Sequence, residues 1–387
     1  MSFLRSHANN DALIIDIGSA SVLLGYVKYI NGKGTLIYVN KFINPLTEFS
    51  QTHSAYKEVL AGMGALLTEF ALRRRGTKDT PVFIFLPTLL HFSEMHPLHA
   101  EWEEDILITS RIISTIADTA EKDVFEHRKN TIEELSGAKF VTLEKHVTHS
   151  RLNGYDVSTP IGKKARIYDG KLFVSYTSID IIQGVEKILE KTLHTKKASF
   201  HSGIFALFDV LQEVYARHPN FLIINAGREL ADFILVSKDD ITHLATISVG
   251  ERALLTSFAE TLSIPISEAE TIIGLLIEGN ASKGLTTRVE KGLDAVWGTL
   301  KVKIVAAQKE GFFPKRLPMS VCILGDDYMT FLYKECLMRG EKDGLLFGKI
   351  PEIIFLSPEV FKNAIESSYG ANYTPLLIKA LFAKKLL

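Results

Sequence analysis

Two segments of the chain share one pattern of apolar and polar positions, and each lies near the start of one half. In both, an apolar run is followed by a short turn of small or polar residues and by a second apolar run. Short apolar runs that flank a turn rich in Gly, Ser or Asn are typical of β-hairpins. The pattern therefore predicts two β-hairpins at corresponding places, in the segments 12–27 (ALIIDIGSASVLLGYV) and 221–236 (FLIINAGRELADFILV).

The pattern around these hairpins predicts an α/β protein. Helices are expected where apolar residues recur at helical spacing, and strands where they form short continuous runs. In the segment 266–278, Ser267 followed by Glu270 has the signature of a capping box at a helix start. Predicted strands are 35–42, 81–87, 243–249, 319–324 and 350–356, and predicted helices are 55–75, 204–215, 252–262, 266–278, 294–308, 328–338 and 373–385.

The block 88–178 differs in character and is predicted to be a small α+β unit. His91, His96 and His99 lie beside Pro97, and we expect an exposed polar loop there, because their spacing matches no metal-ligand pattern. Asn153-Gly154 predicts a tight turn. The predicted elements are a charged helix at 103–118, strands at 140–148 and 171–177, and a helix at 179–193 just after the block.

Composition narrows the class of protein only slightly. The chain has 387 residues, which favours two or more subdomains over a single core. Its formal net charge of -1 gives no reason to expect nucleic acid as a partner. Its two cysteines, Cys322 and Cys336, fit neither a disulfide framework nor a zinc motif. Because no apolar run is long enough for a signal peptide or a membrane span, we expect a soluble cytoplasmic protein.

The turn of the first hairpin carries chemistry suited to a phosphate. It contains Asp16, Gly18, Ser19 and Ser21. Backbone N–H groups near a glycine can approach a phosphate closely, and a carboxylate at the strand end can hold a hydrated Mg²⁺. The alternative is a purely structural hairpin, which such turns commonly form. Two similar hairpins in two halves favour a pair of lobes that face a shared cleft.

The block after the first lobe resembles a known family. The runs 152–157 (LNGYDV) and 160–164 (PIGKK), followed by a strand and a helix at 180–193, are similar to the inserted subdomain of the FtsA/PilM-type actin-like proteins. The resemblance implies an α/β, actin-like (ribonuclease H-like) two-lobed ATPase fold with a small inserted α+β subdomain. It implies a first lobe at 1–87 and 179–218, an inserted subdomain at 88–178, and a second lobe at 219–387 with a helical part at about 251–315.

The same resemblance implies a site for ATP with Mg²⁺. In these proteins two phosphate-binding turns, a helix with an Ala-Glu motif and a glycine-containing adenosine segment surround the nucleotide, and Asp16 would hold Mg²⁺ through water. The residues implied to bind nucleotide are Asp16, Gly18, Ser19, Ala20, Ser21, Asn225, Gly227, Arg228, Glu229, Gly250, Glu270, Gly325 and Asp326.

Several of these positions depart from the family pattern. Asn225 stands where the second turn is expected to carry Asp, and Glu229 and Leu230 replace small hydroxyl residues. Asp326 replaces the second of two glycines, and Ile273 stands where a Lys is expected. Loss of an acid that orders metal and water lowers hydrolysis more than binding. We therefore expect at most a weak ATPase, with the fold used as a scaffold.

The resemblance also implies partners. FtsA/PilM-type proteins organise division or pilus machinery at the inner membrane face, so the implied partner is the cytoplasmic tail of a membrane protein or a tubulin-like division protein. Self-association through the inserted block is a further expectation. There Tyr155 lies near Lys163, Lys164 and Arg166, which form either an interface for an acidic partner or a solvated basic face.

Two alternatives remain open from the sequence. An active phosphotransferase or chaperone-like ATPase on the same fold would need an acidic base in the cleft, and none is evident. The final segment 374–387 is basic and amphipathic. We interpret it as a core helix packed on the second lobe, and the alternative is membrane contact by its last residues, Lys384 to Leu387.

Overall fold

The structure is a computed structural model, and it describes residues 11–19, 21–43, 52–74, 80–136, 138–216, 218, 220–280, 283–342, 346–347, 350–370 and 373–387. Within these ranges the strands form three β-sheets. None of the helices in these ranges is both long enough and apolar enough to cross a lipid bilayer.

The first hairpin lies at the centre of a six-stranded sheet. Its second strand pairs antiparallel with the first, and the fourth and ninth strands of the chain add in parallel on the other side. In spatial order the strands are β15 (Ile365–Glu366), β3 (Lys33–Ile43), β2 (Ser21–Ile30), β1 (Asp11–Ile17), β4 (Val82–Leu86) and β9 (Ala198–Ser202).

The second hairpin lies at the centre of a five-stranded sheet that repeats this arrangement. A meander of three antiparallel strands is again followed by two parallel strands on the side of the first strand. In spatial order the strands are β12 (Asp240–Ile247), β11 (Ala231–Ser237), β10 (Asn220–Ala226), β13 (Ser320–Leu324) and β14 (Glu352–Phe355).

Both sheets are covered on both faces, which explains why their central strands are continuously apolar. In β1, Leu13 and Ile15 belong to one core cluster, and Ala12 and Ile14 belong to another. A strand buried on both faces needs no polar alternation. The cores therefore form layers on either side of each sheet.

The helices fill these layers. α1 (Thr52–Arg73) and α3 (Ile179–Leu193) pack on the outer face of the first sheet. α4 (Gly203–Val214) and α10 (Thr374–Lys384) share one core with the inner faces of both sheets. The outer face of the second sheet is covered mainly by α5 (Glu251–Leu262), α6 (Ile266–Ile277), α7 (Lys283–Lys309) and α8 (Asp327–Lys342), and a short α9 (Pro358–Phe361) precedes β15.

The third sheet is antiparallel and has its own core. Its strands, in spatial order, are β5 (His91–Leu107), β8 (Lys164–Ser178), β6 (Phe140–Leu152) and β7 (Tyr155–Asp156), and α2 (Ser110–Ser136) covers one face. The predicted Asn153-Gly154 turn is confirmed, because both residues have positive φ, 49° and 84°. The predicted lobe boundaries stay a prediction.

Two expectations for this region were wrong. The segment of His91, His96 and His99 is a strand and not a loop, and the helix expected at 103–118 begins only at Ser110. β5 continues through the acidic run because a register shift between Glu101 and Ile106 takes up the residues that do not pair with β8.

Two expectations for α6 and α10 were also wrong. α6 begins after Pro265 without a side-chain cap, so Ser267 and Glu270 form no capping box. α10 is a core helix, as predicted, but it packs mainly on β1, β2 and α4 rather than on the second lobe. One anchor is the Tyr29 hydroxyl, which donates to the Ala380 carbonyl at 2.7 Å.

The basic end of the chain is tied to the protein surface. Lys384 donates to the Gly32 carbonyl, and Lys385 pairs with Asp209 and Glu213, each at 2.6 Å. These contacts engage the two lysines that the alternative of membrane contact would require.

Candidate functional site

The turns of the two hairpins line one cavity of about 380 Å³. It lies where β1, β4, β10 and β13 reach their carboxyl ends, because Ile17, Leu86, Ala226 and Leu324 contribute to its wall. In open α/β sheets ligands bind in crevices at this edge of the strands. The cavity is therefore the candidate functional site.

The two turns are closed by the same backbone contact. The Gly18 N–H donates to the Ser21 carbonyl at 2.7 Å, and the Gly227 N–H donates to the Leu230 carbonyl at 3.1 Å. A Cβ atom on Gly18 would lie 2.9 Å from the Ser21 hydroxyl, and one on Gly227 would lie 2.8 Å from the Leu230 carbonyl oxygen. Close approach favours glycine at both positions, and more strongly at Gly227, where the nearest atom belongs to the backbone.

The acid of the first turn has a protein partner. Asp16 is the last residue but one of β1, and its Oδ2 lies 3.1 Å from the Nζ of Lys379 on α10. The two side chains are only 15% and 8% exposed. Gly203, at the start of α4, lies beside this pair, because a Cβ there would be 4.0 Å from Cε of Lys379. A nearly buried ion pair therefore sits in the wall of the cavity.

The acid of the second turn is also engaged. Asp232 lies directly opposite Asn225 in the hairpin register. Its Oδ2 accepts from the Asn225 amide at 2.9 Å, and its Oδ1 accepts from the Thr246 hydroxyl at 2.9 Å. Burial raises the pKa of Asp232, and the hydrogen bond from Asn225 acts against that rise. Both carboxylate oxygens are thus bound by protein donors.

The side chain of Asp326 caps a helix. Its Oδ1 accepts from the Met329 N–H at 2.9 Å, which is the contact of a helix N-cap at the start of α8. Gly325 lies against the second turn, since a Cβ there would be 3.2 Å from that of Ala226. The side chain that stands where the resemblance implies a second glycine therefore caps a helix, and the same residue lines the cavity.

The second turn is held against the start of α5. The Glu251 and Arg252 N–H groups donate to the carbonyls of Gly227 and Arg228, each at 3.0 Å. A Cβ on Gly250 would lie 2.5 Å from the Arg228 carbonyl oxygen. Gly250 thus permits this packing and does not itself line the cavity.

Glu251 is an acid of the cavity wall with an altered protonation equilibrium. Burial, together with the nearby charge of Asp326, raises its pKa from 4.5 to about 7, while Arg228 and Lys41 act in the opposite direction. The charge of Glu270 on α6 adds to the rise, although Glu270 does not line the cavity. Glu251 therefore changes charge near neutral pH.

The structure brings most of the predicted site residues together. Glu229 does not line the cavity either: its carboxylate lies 3.6 Å from Arg252, beside a separate polar groove. Ala20 lies outside the described residues. Those that line the cavity are Asp16, Gly18, Ser19, Ser21, Asn225, Gly227, Arg228, Gly325 and Asp326.

Besides Asp232, sequence reasoning missed three charged residues of the wall. Lys41 comes from β3, Glu251 from α5 and Lys379 from α10. Lys379 did have a signal, because it is the one charged residue between Pro375 and Phe382 in an otherwise apolar helical run. A lysine in a helix buried on most sides needs a partner anion.

The donor set does not fit the Mg²⁺ implied by the family. Magnesium is usually bound by one or two carboxylates together with several waters and the phosphates of its ligand. Here Asp16 is paired with the Lys379 ammonium, and Asp232 accepts from Asn225 and Thr246. His91, His96 and His99 are no alternative, because an extended strand keeps them far apart and places His96 on the opposite face.

A buried polar network lies next to the cavity. Glu144 of β6 accepts from the Ser202 N–H at 2.7 Å, and its Oε2 lies 3.1 Å from both His146 and His201. Burial acts to raise the pKa of Glu144, but the two histidines hold it down to about 2. Ser202 caps α4, so the network joins the third sheet to a helix whose first residue, Gly203, lines the cavity.

The first sheet, apart from its edge strand β15, and the second sheet have the same strand order and contribute turns to one cleft, an arrangement typical of the actin-like class of α/β fold. A solved structure described as a PilM-PilN type IV pilus biogenesis complex matches 97% of this chain and 98% of that chain, with a TM-score of 0.60 and 14% identity. At this identity the likeness shows the fold alone: the chain has the actin-like, two-lobed ATPase fold with a small inserted subdomain.

Two further solved structures match at lower similarity. One is a Bacteroides thetaiotaomicron protein with an actin-like ATPase fold and unknown function, with a TM-score of 0.42, 10% identity, and coverage of 97% and 96% of the two chains. The other is the ethanolamine utilization protein EutJ from Carboxydothermus hydrogenoformans, with a TM-score of 0.43, 12% identity, and coverage of 96% and 89%. No protein-family model and no curated protein matches the sequence.

Proposed function

We propose that the chain is an actin-like scaffold of the FtsA/PilM type, whose cleft binds ATP and hydrolyses it slowly or not at all. The observation that carries the proposal is the pair of matched glycine turns that line one cavity. Their backbone resembles a phosphate-binding cradle, whereas the acid expected in the second turn is the amide of Asn225. Binding needs the cradle, and hydrolysis needs a positioned water as well.

Two measurements on the purified chain test this proposal. Calorimetry with ATP reports binding, and phosphate release reports hydrolysis. We expect a measurable dissociation constant and turnover far below that of working ATPases, which is about 1 s⁻¹ or more. Gly227→Ala should weaken binding because it displaces the second turn, whereas Gly298→Ala, on α7 where a Cβ meets no atom within 4 Å, is the matched control. ATP binding that is undetectable in the wild type would refute the proposal.

The inserted sheet is the proposed surface for a protein partner. Three apolar side chains at its far end are exposed: Tyr155 by 78%, Ile161 by 53% and Leu107 by 51%. The neighbouring cations do not make this end basic, since the segment of Lys163 and Lys164 pairs with the strand that carries Glu101 to Asp105. Support for this proposal therefore comes from aromatic and aliphatic exposure.

The proposed partner is the cytoplasmic tail of a membrane protein, with a tubulin-like division protein as the alternative. The solved PilM structure is a complex with PilN in type IV pilus biogenesis, which supports a protein partner by analogy of fold. The proposed location is the cytoplasm, at the inner membrane face. Self-association through the same end of the sheet is part of this proposal.

Binding of synthetic peptides and light scattering test the interface. The peptides are the cytoplasmic segments of membrane proteins encoded beside this chain's gene, compared with scrambled versions. We expect Tyr155→Ser to weaken peptide binding by about tenfold or more, as truncation of an aromatic anchor does. Ile30→Ser is the control, because Ile30 is 64% exposed at the far end of β2 in the first sheet. Equal binding by both variants would exclude this surface.

A second candidate function, ATP-dependent phosphotransfer, has one observation in its favour. Glu251 lines the cleft and has a pKa of about 7, which suits a general base at neutral pH. If Glu251 acts in this way, Glu251→Gln should abolish phosphate release or transfer while leaving ATP binding intact. Absence of turnover in the wild type would exclude this candidate and leave the scaffold proposal in place.

A further inference from the structure

The cleft contains a lysine ammonium next to Asp16, which is the acid at which the resemblance implies a metal ion. The Lys379 ammonium lies 3.1 Å from the Asp16 carboxylate, and the lysine side chain is 8% exposed. α10 places it there by burying its apolar neighbours, including Ile378 and Ala380, against the first sheet and α4. The position of the ammonium is thus determined by the packing of a whole helix.

The second acid of the cleft offers no substitute ligand for a metal. Asp232 is 4% exposed and accepts one hydrogen bond at each carboxylate oxygen, from Asn225 and from Thr246. A divalent cation bound there would compete with both donors for the carboxylate oxygens. One placed at Asp16 would lie close to the Lys379 ammonium, and like charges at short range in a partly buried site repel strongly.

We infer that the cleft binds the phosphate chain of its nucleotide without a divalent cation, and that the Lys379 ammonium supplies the positive charge instead. This inference rests on the proposed function, because it concerns the same cleft and the same ligand. Two more cations, Lys41 and Arg228, line the cavity with Lys379, and they offset part of the charge of its carboxylates, which are Asp16, Asp232, Glu251 and Asp326. Ammonium and guanidinium groups both form charge-assisted hydrogen bonds to phosphate oxygens.

We expect free ATP to bind more tightly than its magnesium complex, which is the reverse of the usual order of affinities. Free ATP carries more negative charge than magnesium ATP, so it interacts more favourably with a lysine and an arginine. The magnesium complex brings a dication towards the ammonium. We therefore expect the protein to prefer ATP from which the metal has been removed.

Calorimetry of the wild-type protein with ATP, in EDTA and in excess Mg²⁺, tests the inference directly. We expect a dissociation constant in EDTA that is equal to or lower than that in Mg²⁺. A value in EDTA about tenfold or more above that in Mg²⁺ would overturn the inference while leaving the proposed function intact. No binding under either condition would overturn both.

Substitution of the lysine tests the role of the residue. In EDTA we expect Lys379→Met to weaken ATP binding by about tenfold or more, with no recovery on adding Mg²⁺, and Lys379→Arg to retain most of it. Lys362→Met is the control, since Lys362 pairs with Glu359 on the surface and its side chain is 68% exposed. Binding by Lys379→Met at the wild-type level would overturn the inference.

A paired substitution covers the case in which Lys379→Met does not fold. Asp16→Asn together with Lys379→Met removes both charges of the buried pair, and circular dichroism reports whether the variant is folded. A folded double variant that binds ATP in EDTA as tightly as the wild type would also overturn the inference. Weak binding in EDTA that Mg²⁺ does not restore would support it.

Discussion

The first and second hairpins have the same strand order and the same closing contact, but their polar side chains differ. In the first, the acid at the end of β1 pairs with a lysine from a distant helix. In the second, the corresponding residue is Asn225, and the acid lies across the hairpin at Asp232. The comparison teaches that two turns with the same closing backbone contact can carry different polar side chains, each with its own partner inside the protein.

Removal of the lysine should have the largest effect on stability. Lys379→Met leaves the Asp16 carboxylate nearly buried and without its cation, and breaking one side of a buried pair costs about 3–5 kcal/mol. We expect a loss of about 3 kcal/mol in the free energy of unfolding, measured by urea denaturation. Adding Asp16→Asn should restore most of it, and an equal loss in the double variant would contradict this account.

The second hairpin should not tolerate the acid that the first contains. Asn225→Asp places a second carboxylate within hydrogen-bond distance of Asp232, where the amide now donates at 2.9 Å. Two such acids must share a proton, so the variant should lose about 2 kcal/mol of unfolding free energy at pH 8 and much less at pH 5. Asn225→Asp with Asp232→Asn, which exchanges the two groups, should recover stability at pH 8. Urea denaturation at both pH values checks both statements.

Alanine in place of each turn glycine should lower the stability of the protein by a different amount in the two hairpins. At Gly227 the added Cβ meets the Leu230 carbonyl oxygen, which is backbone and cannot rotate away. At Gly18 its nearest contact is the Ser21 hydroxyl, the end of a side chain that can turn. We expect Gly227→Ala to cost about 2 kcal/mol and Gly18→Ala about 1 kcal/mol or less, from thermal unfolding. The opposite order would show that the first turn is the tighter one.

The smallest expected effect is the change of ATP affinity with pH that Glu251 causes. The folded-state pKa of Glu251 is raised from 4.5 to about 7, so the folded protein holds the proton more tightly than the unfolded chain. Its contribution to stability is greatest below pH 4.5 and is lost as the pH rises towards 7. Above pH 7 its charge also opposes an anionic ligand. ATP affinity should therefore fall severalfold between pH 6 and pH 8, and Glu251→Gln should flatten this profile.

The hairpins were predictable from the sequence, and their ion partners were not. A hairpin depends on neighbouring residues, so the runs around Asp16 and Asn225 carry enough information to identify both turns. The Lys379 pair depends on how α10 packs against the first sheet, which no local pattern contains. Asp326 was predicted as a nucleotide residue, yet its carboxylate caps α8, because the helix begins one residue earlier than predicted, directly after Asp326.

The inserted region also shows that a local sequence pattern does not determine an element whose strand pairing is distant in sequence. The acidic run from Glu103 to Asp105 was interpreted as the start of a helix, because charged residues with interspersed apolar ones fit a helical face. In the structure these residues belong to β5, at a register shift against β8. Strand pairing with a segment some 60 positions away, as between Glu101 and Ile167, outweighs local helix preference.

The return of α10 to the first sheet has a consequence for biosynthesis. The hydrogen bond from Tyr29 to Ala380 joins positions 351 residues apart, and the same helix carries the partner of Asp16. At roughly 5–20 residues per second, a ribosome takes about 20–70 s to make the intervening chain. During that time the inner face of the first sheet lacks α10, which covers it in the folded protein. The emerging chain therefore exposes an apolar surface until α10 has been made, and the cavity is completed only when translation of α10 is finished.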